Sequence, residues 1–277
     1  MSFDEEINKI IQNPLKGIEE NDLIYLQHPE LSLKARKYRN NSKKKQPIII
    51  DIHGGAWSSC DRTIGVLYDR YIAKAGFTVI AIDFRQGPDY HHPSSSMDIE
   101  SAIEYTLTNA DELGGDPNQI GLIGSSSGGH LALLSGITSK HKIDYVVALW
   151  PVSDPAYRYA YAKRVNRTGL VEAHESYFIN IENMQAASIQ KIVETGKWTQ
   201  LPPILVVQPG EDANVPLEMT NELINQYQSA GGYLEYAFFP GEEHGFAHLS
   251  CLATNRCNSL VVDFIKRHSD KTITQSI

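Results

Sequence analysis

Residues 119–134 constrain this chain more than any other stretch: Gln119-Ile120-Gly121-Leu122-Ile123-Gly124-Ser125-Ser126-Ser127-Gly128-Gly129-His130-Leu131-Ala132-Leu133-Leu134. A short apolar run ends in Gly124-Ser125-Ser126-Ser127-Gly128, and a helix-forming run follows at once. That pattern predicts a strand, a sharp turn and a helix, with Ser126 on the turn. Turns this tight place glycine at their flanks, where a Cβ would clash. The serine hydroxyl then stands exposed above the sheet at a helix N-terminus, where unpaired N–H groups and the helix dipole favour negative charge. The five-residue pattern alone arises by chance in about one chain in ten of this length, so its surroundings carry the weight.

Those surroundings are regular. An amphipathic helix is expected over 5–12, a half-exposed antiparallel strand over 31–36, and strands buried on both faces over 47–52, 77–82, 119–123, 145–150 and 204–207. Helices are expected over 64–75, 98–108, 127–137, 217–229 and 249–268, with a strand over 233–239. Continuous β-branched runs such as Ile48-Ile49-Ile50 suit strands covered on both faces. Their alternation with helices predicts an α/β fold: a mostly parallel sheet with helices on both faces and its functional loops beyond the C-terminal strand ends. The rhythm breaks only at 154–199, a helical stretch rich in aromatics (Tyr157, Tyr159, Tyr161, Tyr177, Phe178, Trp198), read as an insertion within a single domain spanning 1–277.

The 33 acidic against 25 basic residues, net charge −8, argue against a nucleic-acid or anionic-membrane partner. Three cysteines are too few for a disulfide framework and fit reduced thiols in a cytoplasm. The acidic start lacks the pattern of a secretory signal, and no apolar run reaches the length of a membrane span.

Three further segments fall at expected strand ends. A serine hydroxyl needs a base to become a nucleophile. His244, in Pro240-Gly241-Glu242-Glu243-His244-Gly245-Phe246, lies in a loop after the last strand and comes third in a serine–acid–histidine order. Among the other histidines, His130 is expected to pack on the sheet, His53 to orient backbone, and His91 and His92 to lie at the surface. The base in turn needs a carboxylate on its second nitrogen. Asp212 is the first choice, Glu211 the fallback, and Asp154 a weaker alternative that reads more simply as a turn former. Finally, Ile52-His53-Gly54-Gly55-Ala56-Trp57 supplies two glycines after a buried strand, leaving backbone N–H groups open to a ligand. With the Ser127 N–H they would form an oxyanion hole, each donor contributing about 2.7–4 kcal/mol to lowering a barrier.

Taken together, Ile52-His53-Gly54-Gly55-Ala56-Trp57, Gly124-Ser125-Ser126-Ser127-Gly128-Gly129, Asp212-Ala213-Asn214-Val215-Pro216 and His244-Gly245-Phe246 resemble the α/β-hydrolase superfamily. The likeness is greatest to its hormone-sensitive-lipase-like esterase branch, and Phe84-Arg85-Gln86-Gly87-Pro88 and Gly115-Asp116-Pro117-Asn118-Gln119-Ile120 extend it. The resemblance implies an α/β-hydrolase fold, Ser126 as nucleophile, Asp212 as acid and His244 as base. It also implies oxyanion donors at the backbones of Gly55, Ala56 and Ser127, with Gly54 adjacent. Ala56 stands where that branch usually has a third glycine, and Ser127 where alanine is common; backbone donors survive both changes, but the substrate class is less sharply indicated.

The chemistry so implied is cleavage of a small-molecule ester through an acyl-enzyme, with no metal and no organic cofactor. Because the base must be neutral, activity should fall below the pKa of imidazole, about 6.5 when unperturbed. An amidase or arylformamidase using the same three residues is the second reading, and a non-catalytic binding protein the third. The 154–199 insertion is expected to form a cap over Ser126, with Trp57 on the floor of a partly apolar pocket, although its aromatics serve equally well as its own core. Arg158, Arg164 and Arg167 are candidates to hold a substrate carboxylate, against the more ordinary role of surface charge. A homodimer is left open as the assembly.

Overall fold

The computed structural model describes residues 2–269. Helix α1 (Phe3–Ile11) opens with a capping box: Ser2 Oγ accepts from the Glu5 N–H while the Glu5 carboxylate accepts from the Ser2 N–H. Strands β1 (Ile18–Gln27), β2 (Ser32–Asn40) and β3 (Gln46–Ile52) follow, then α2 (Val66–Lys74), β4 (Thr78–Ile82), α3 (Ser94–Thr108), the single turn α4 (Ala110–Leu113), β5 (Gly115–Ser125) and α5 (Ser127–Thr138). Beyond β6 (Tyr145–Leu149) four helices run in succession: α6 (Pro155–Arg164), α7 (Thr168–Phe178), α8 (Ile181–Ala186) and α9 (Ile189–Glu194). The chain closes with β7 (Ile204–Pro209), α10 (Leu217–Ser229), β8 (Leu234–Phe239) and α11 (Leu252–Ser269).

The eight strands form one sheet in the order β1-β2-β4-β3-β5-β6-β7-β8. The first two pairings are antiparallel and the remaining five parallel. Strand β1 is not among the sequence expectations. Its run Ile18-Glu19-Glu20-Asn21-Asp22 is too polar to read as a strand, yet as the edge partner of β2 it leaves Glu19, Asn21 and Asp22 exposed while Glu20 turns in to pair with Arg70. Elsewhere the expected elements form, with ends displaced by a few residues; β5 starts earlier and α3 begins a turn sooner than their apolar patterns suggest.

Alternation within the strands divides the core in two. Ile48, Ile50, Ile52, Ile80, Ile82, Leu122, Val146 and Val206 face the layer that holds α3, α5 and α10. Ile49, Val79, Ile123, Val147, Leu205 and Val207 face the layer of α2 and α11, packing with Ile72, Val261 and Phe264. Two buried faces explain why the parallel strands are apolar at nearly every position. Among the described residues no helix is long and apolar enough to cross a membrane.

Register then fixes where the loops emerge. Ile52 lies beside Gly124, Ser125 beside Leu149, and Pro209 beside Phe239. The loops after β3, β5, β6, β7 and β8 therefore leave the same edge of the sheet, side by side.

Candidate active site

Ser126 follows β5 directly and forms the N-cap of α5, with φ 55° and ψ −117°. A non-glycine residue held there is strained by roughly 1–3 kcal/mol, and surrounding contacts must hold it. Its N–H donates to the Leu149 carbonyl, and its own carbonyl accepts from His130 N and Val152 N. The helix must come close for this to work: a Cβ on Gly128 would lie 1.9 Å from the Ile52 carbonyl oxygen.

The loops after β7 and β8 are zipped together by Gly210 N donating to Phe239 O and Glu211 N to Glu242 O. This brings His244 between the other two predicted residues. Its Nε2 lies 2.9 Å from Ser126 Oγ, and its Nδ1 lies 2.8 Å from Asp212 Oδ2 and 3.0 Å from Oδ1. A carboxylate only accepts, so Nδ1 carries the proton and Nε2 presents a lone pair to the serine hydroxyl. Asp212 is itself fixed by the N–H groups of Asn214 and Val215, both donating to Oδ1 at 2.8 Å. Its side chain is 1% exposed, that of His244 18%. Glu211 is exposed on the neighbouring surface, and Asp154 caps α6 by accepting from Tyr157 N and from the Ser188 hydroxyl.

The loop after β3 wraps over this group. Gly55 has φ 110°, and a Cβ there would meet the Ser59 carbonyl oxygen at 2.0 Å, so only glycine fits. Ala56 and Trp57 follow at φ 52° and 61°, the left-handed region in which the related branch's glycine would sit without strain. The turn is pinned by Trp57 N donating to Ser127 Oγ and by Gly87 N donating to Trp57 O. The segment carrying Gly87 is anchored in turn by the Arg85 guanidinium on Asp98. His53, buried, meets the Gly54 carbonyl through Nδ1 at 2.7 Å and stacks on Phe84. Gly54, Gly55 and Ala56 line the same cavity as Ser126, and Ser127, first residue of α5, has no intrahelical carbonyl to receive its N–H.

That cavity measures about 320 Å³ and is lined by residues from all five loops and from the helices after β6, among them Ser126, Trp150, Arg158, Leu170, Asn214 and His244. It is small for a ligand site, at the low end of roughly 300–1,000 Å³. A larger cleft of about 630 Å³ opens between α1, α2 and α11, lined by no histidine, aspartate or cysteine.

Trp57 differs from expectation. It is fully buried and does not line the cavity. Its ring stacks on Tyr177 at 5.6 Å with an interplanar angle of 1°, and meets His174 and Phe178 edge-on, so it fastens the β3 loop to α7. Its Nε1–H donates to His130 Nδ1, which leaves His130 Nε2 to donate to the Ala187 carbonyl. Burial pushes the imidazoles of His130 and His174 down to about 3, so both are neutral. His92 also departs from its surface expectation, packing against Tyr177 and Phe178. Of the three arginines only Arg158 turns inward. Arg164 is exposed over the Tyr161 ring, and Arg167, also exposed, donates to Asn214 Oδ1.

Sequence reasoning did not single out Trp150, Leu170, Asn214 or His248 as cavity walls. Trp150 lies 6.2 Å edge-on from the His244 ring, and burial lowers His248 to about 4. Trp150 and Asn214 could have been found by position, since Trp150 immediately follows β6 and Asn214 lies in the loop after β7, both at the functional edge. Leu170 and His248 carry no such mark. Among the described residues no group of three or more His, Cys, Asp or Glu is arranged to hold a metal ion.

A family model described as BD-FAE matches residues 37–227. The chain belongs to the BD-FAE family. Curated relatives include the esterase LipC of Mycobacterium tuberculosis, 27% identical over 81% of this chain and 59% of its own. Another is the isoprenylcysteine alpha-carbonyl methylesterase ICME of Arabidopsis thaliana, 26% identical over 80% of this chain and 55% of its own. This BD-FAE family chain thus spans little more than half the length of the curated relatives it matches. Among solved structures, Esterase B from Lactobacillus rhamnosis superposes with a TM-score of 0.82 at 17% identity, covering 98% of this chain and 93% of the other. The fold is that of the α/β-hydrolases, as the motifs imply, and the relatives fit the hormone-sensitive-lipase-like branch.

Proposed function

We propose that this BD-FAE family chain is a carboxylic ester hydrolase acting through a serine acyl-enzyme. The observation that carries this is the continuous contact from Ser126 Oγ through both His244 nitrogens to Asp212, at 2.9 and 2.8 Å. The esterase names of the curated relatives support it.

His244 Nε2 removes the Ser126 hydroxyl proton as Oγ bonds to the ester carbonyl carbon. The carbonyl electron pair moves to oxygen, which the N–H groups of Gly55, Ala56 and Ser127 receive. Collapse of this intermediate expels the alcohol, which takes the proton from His244. Water then gives its proton to His244 and its hydroxyl to the acyl carbon, and Ser126 departs with the proton returned. Asp212 holds the imidazole tautomer and stabilises the imidazolium without being protonated itself. The helices of 154–199 form a cap, tied down by the Trp57–Tyr177 stack within a single hydrolase domain. A cytoplasmic location fits cysteines 60, 251 and 257 remaining as thiols.

Ser126→Ala should abolish hydrolysis of p-nitrophenyl acetate and labelling by a serine-directed phosphonate. Wild-type rates in that variant would refute the assignment. The same preparation offered an aryl formamide separates an esterase from a formamidase by the ratio of the two rates.

A further inference from the structure

We infer that the cavity takes esters bearing a carboxylate near the scissile bond, bound by Arg158. This rests on the ester-hydrolase assignment and names its substrate class.

Arg158, on α6, is 1% exposed and lines the cavity with Ser126 and His244. A buried guanidinium is ordinarily matched by a carboxylate, and the other buried arginine, Arg70, is held by Glu20 through Nε and Nη2 and by three backbone carbonyls. Arg158 has no such partner among the described residues. Its Nε donates to neutral His174 Nε2 at a long 3.4 Å, and its Nη2 is buried with no acceptor. Asp212 is the carboxylate whose charge it feels, but that carboxylate is occupied by His244, Asn214 and Val215.

The guanidinium is nevertheless held in place. It lies 5.2 Å over the Trp57 ring, itself stacked on Tyr177, and His174 Nε2 is fixed as an acceptor because Nδ1–H donates to the Leu170 carbonyl. Burial lowers Arg158 to about 9, which leaves it cationic at neutral pH. A rigid, charged guanidinium without a carboxylate partner, in the wall of a small cavity beside the nucleophile, is completed by a ligand carboxylate. Two parallel N–H···O bonds to such a group are the geometry guanidinium favours. Arg164 is exposed over the Tyr161 ring, and Arg167, exposed at the rim, is engaged by Asn214 Oδ1.

The carboxylate can belong to the acyl part, as in a half-ester of a short dicarboxylic acid, or to the alcohol part, as in an acylated hydroxy acid. Monomethyl glutarate against methyl valerate tests the first source, and acetoxyacetate against ethyl acetate the second. In one arm the wild type should favour the charged ester in kcat/KM by at least about tenfold, the contribution of a single charge-assisted hydrogen bond. Arg158→Gln should collapse that ratio, and Arg158→Lys should retain part of it. Equal rates on charged and neutral esters in both arms, or a ratio unchanged by Arg158→Gln, would overturn the inference. Calorimetric binding of glutarate and glycolate to the Ser126→Ala protein gives a readout independent of turnover. Binding of either dependent on Arg158 supports the site even if no ester is cleaved, whereas ester cleavage without any such binding removes it and leaves the hydrolase assignment intact.

Discussion

Replacing Asp212 by asparagine should leave the site folded and reverse the proton that makes it work. Oδ1 accepts from two backbone N–H groups, those of Asn214 and Val215, both at 2.8 Å. An amide NH2 at that position would face two buried donors, and each unsatisfied donor costs about 1–3 kcal/mol. The asparagine oxygen therefore occupies the Oδ1 site, and its NH2 takes the Oδ2 site, 2.8 Å from His244 Nδ1. There it donates, so Nδ1 must accept and the imidazole proton moves to Nε2. Nε2 then points a proton, rather than a lone pair, at Ser126 Oγ 2.9 Å away. The base is lost, and so is the charge that stabilises the imidazolium. A fall of about 10³–10⁴ in kcat is expected, roughly 4–5.5 kcal/mol of barrier. Steady-state hydrolysis of p-nitrophenyl acetate measures it, a thermal melt close to wild type confirms the fold, and imidazole ¹⁵N shifts report the tautomer. A loss smaller than about tenfold, with the proton still on Nδ1, would show that Asp212 does not set the tautomer.

Gly55→Ala forces a Cβ to within 2.0 Å of the Ser59 carbonyl oxygen at φ 110°, so the loop must shift and its amide with it; kcat should drop by about 10²–10³. Gly17→Ala, also at positive φ but with open space around it, should lower melting modestly and leave activity alone, and equal activity losses in the two variants would refute the oxyanion role. Stability should fall on acidification from about pH 6.5 toward pH 4. His53, His130, His174 and His248 are all held down by burial, so below the ordinary imidazole range the unfolded chain binds protons that the fold refuses. Asp51 and Asp69, pushed up by burial, act in the opposite sense over the same window. Burial lowers His92 and His268 as well, so six imidazoles against two carboxyls leave an excess of up to four protons and a slope of up to about 5.4 kcal/mol per pH unit, read as a falling melting temperature. A flat profile between pH 6.5 and 4.5 would refute this balance.

Much of the architecture is legible in local composition because burial on two faces leaves a local mark. Ile48-Ile49-Ile50 and Ile204-Leu205-Val206-Val207 are apolar throughout, and both prove to be interior strands paired on either side. The β1 edge strand lacks that mark, since one face and one edge meet water and its acidic residues are compatible with coil or strand alike. Only its pairing with β2 makes it a strand.

The candidate site divides in the same way. Ser126, Asp212 and His244 were identifiable because each follows a strand in a glycine- or proline-bearing loop, and chain order narrowed the choice. What the sequence by itself determined is every element with a buried apolar face, though not the β1 edge strand, and the residue types able to do acyl transfer. Only the tertiary structure decided that Ile52 pairs with Gly124 and Pro209 with Phe239, which brings loops more than a hundred residues apart to one edge. It also decided that Trp57 turns away from the cavity to hold α7 while Arg158 turns toward it. Side-chain direction on a helix or in a turn depends on what packs opposite, and composition near a residue carries no record of partners distant in the chain.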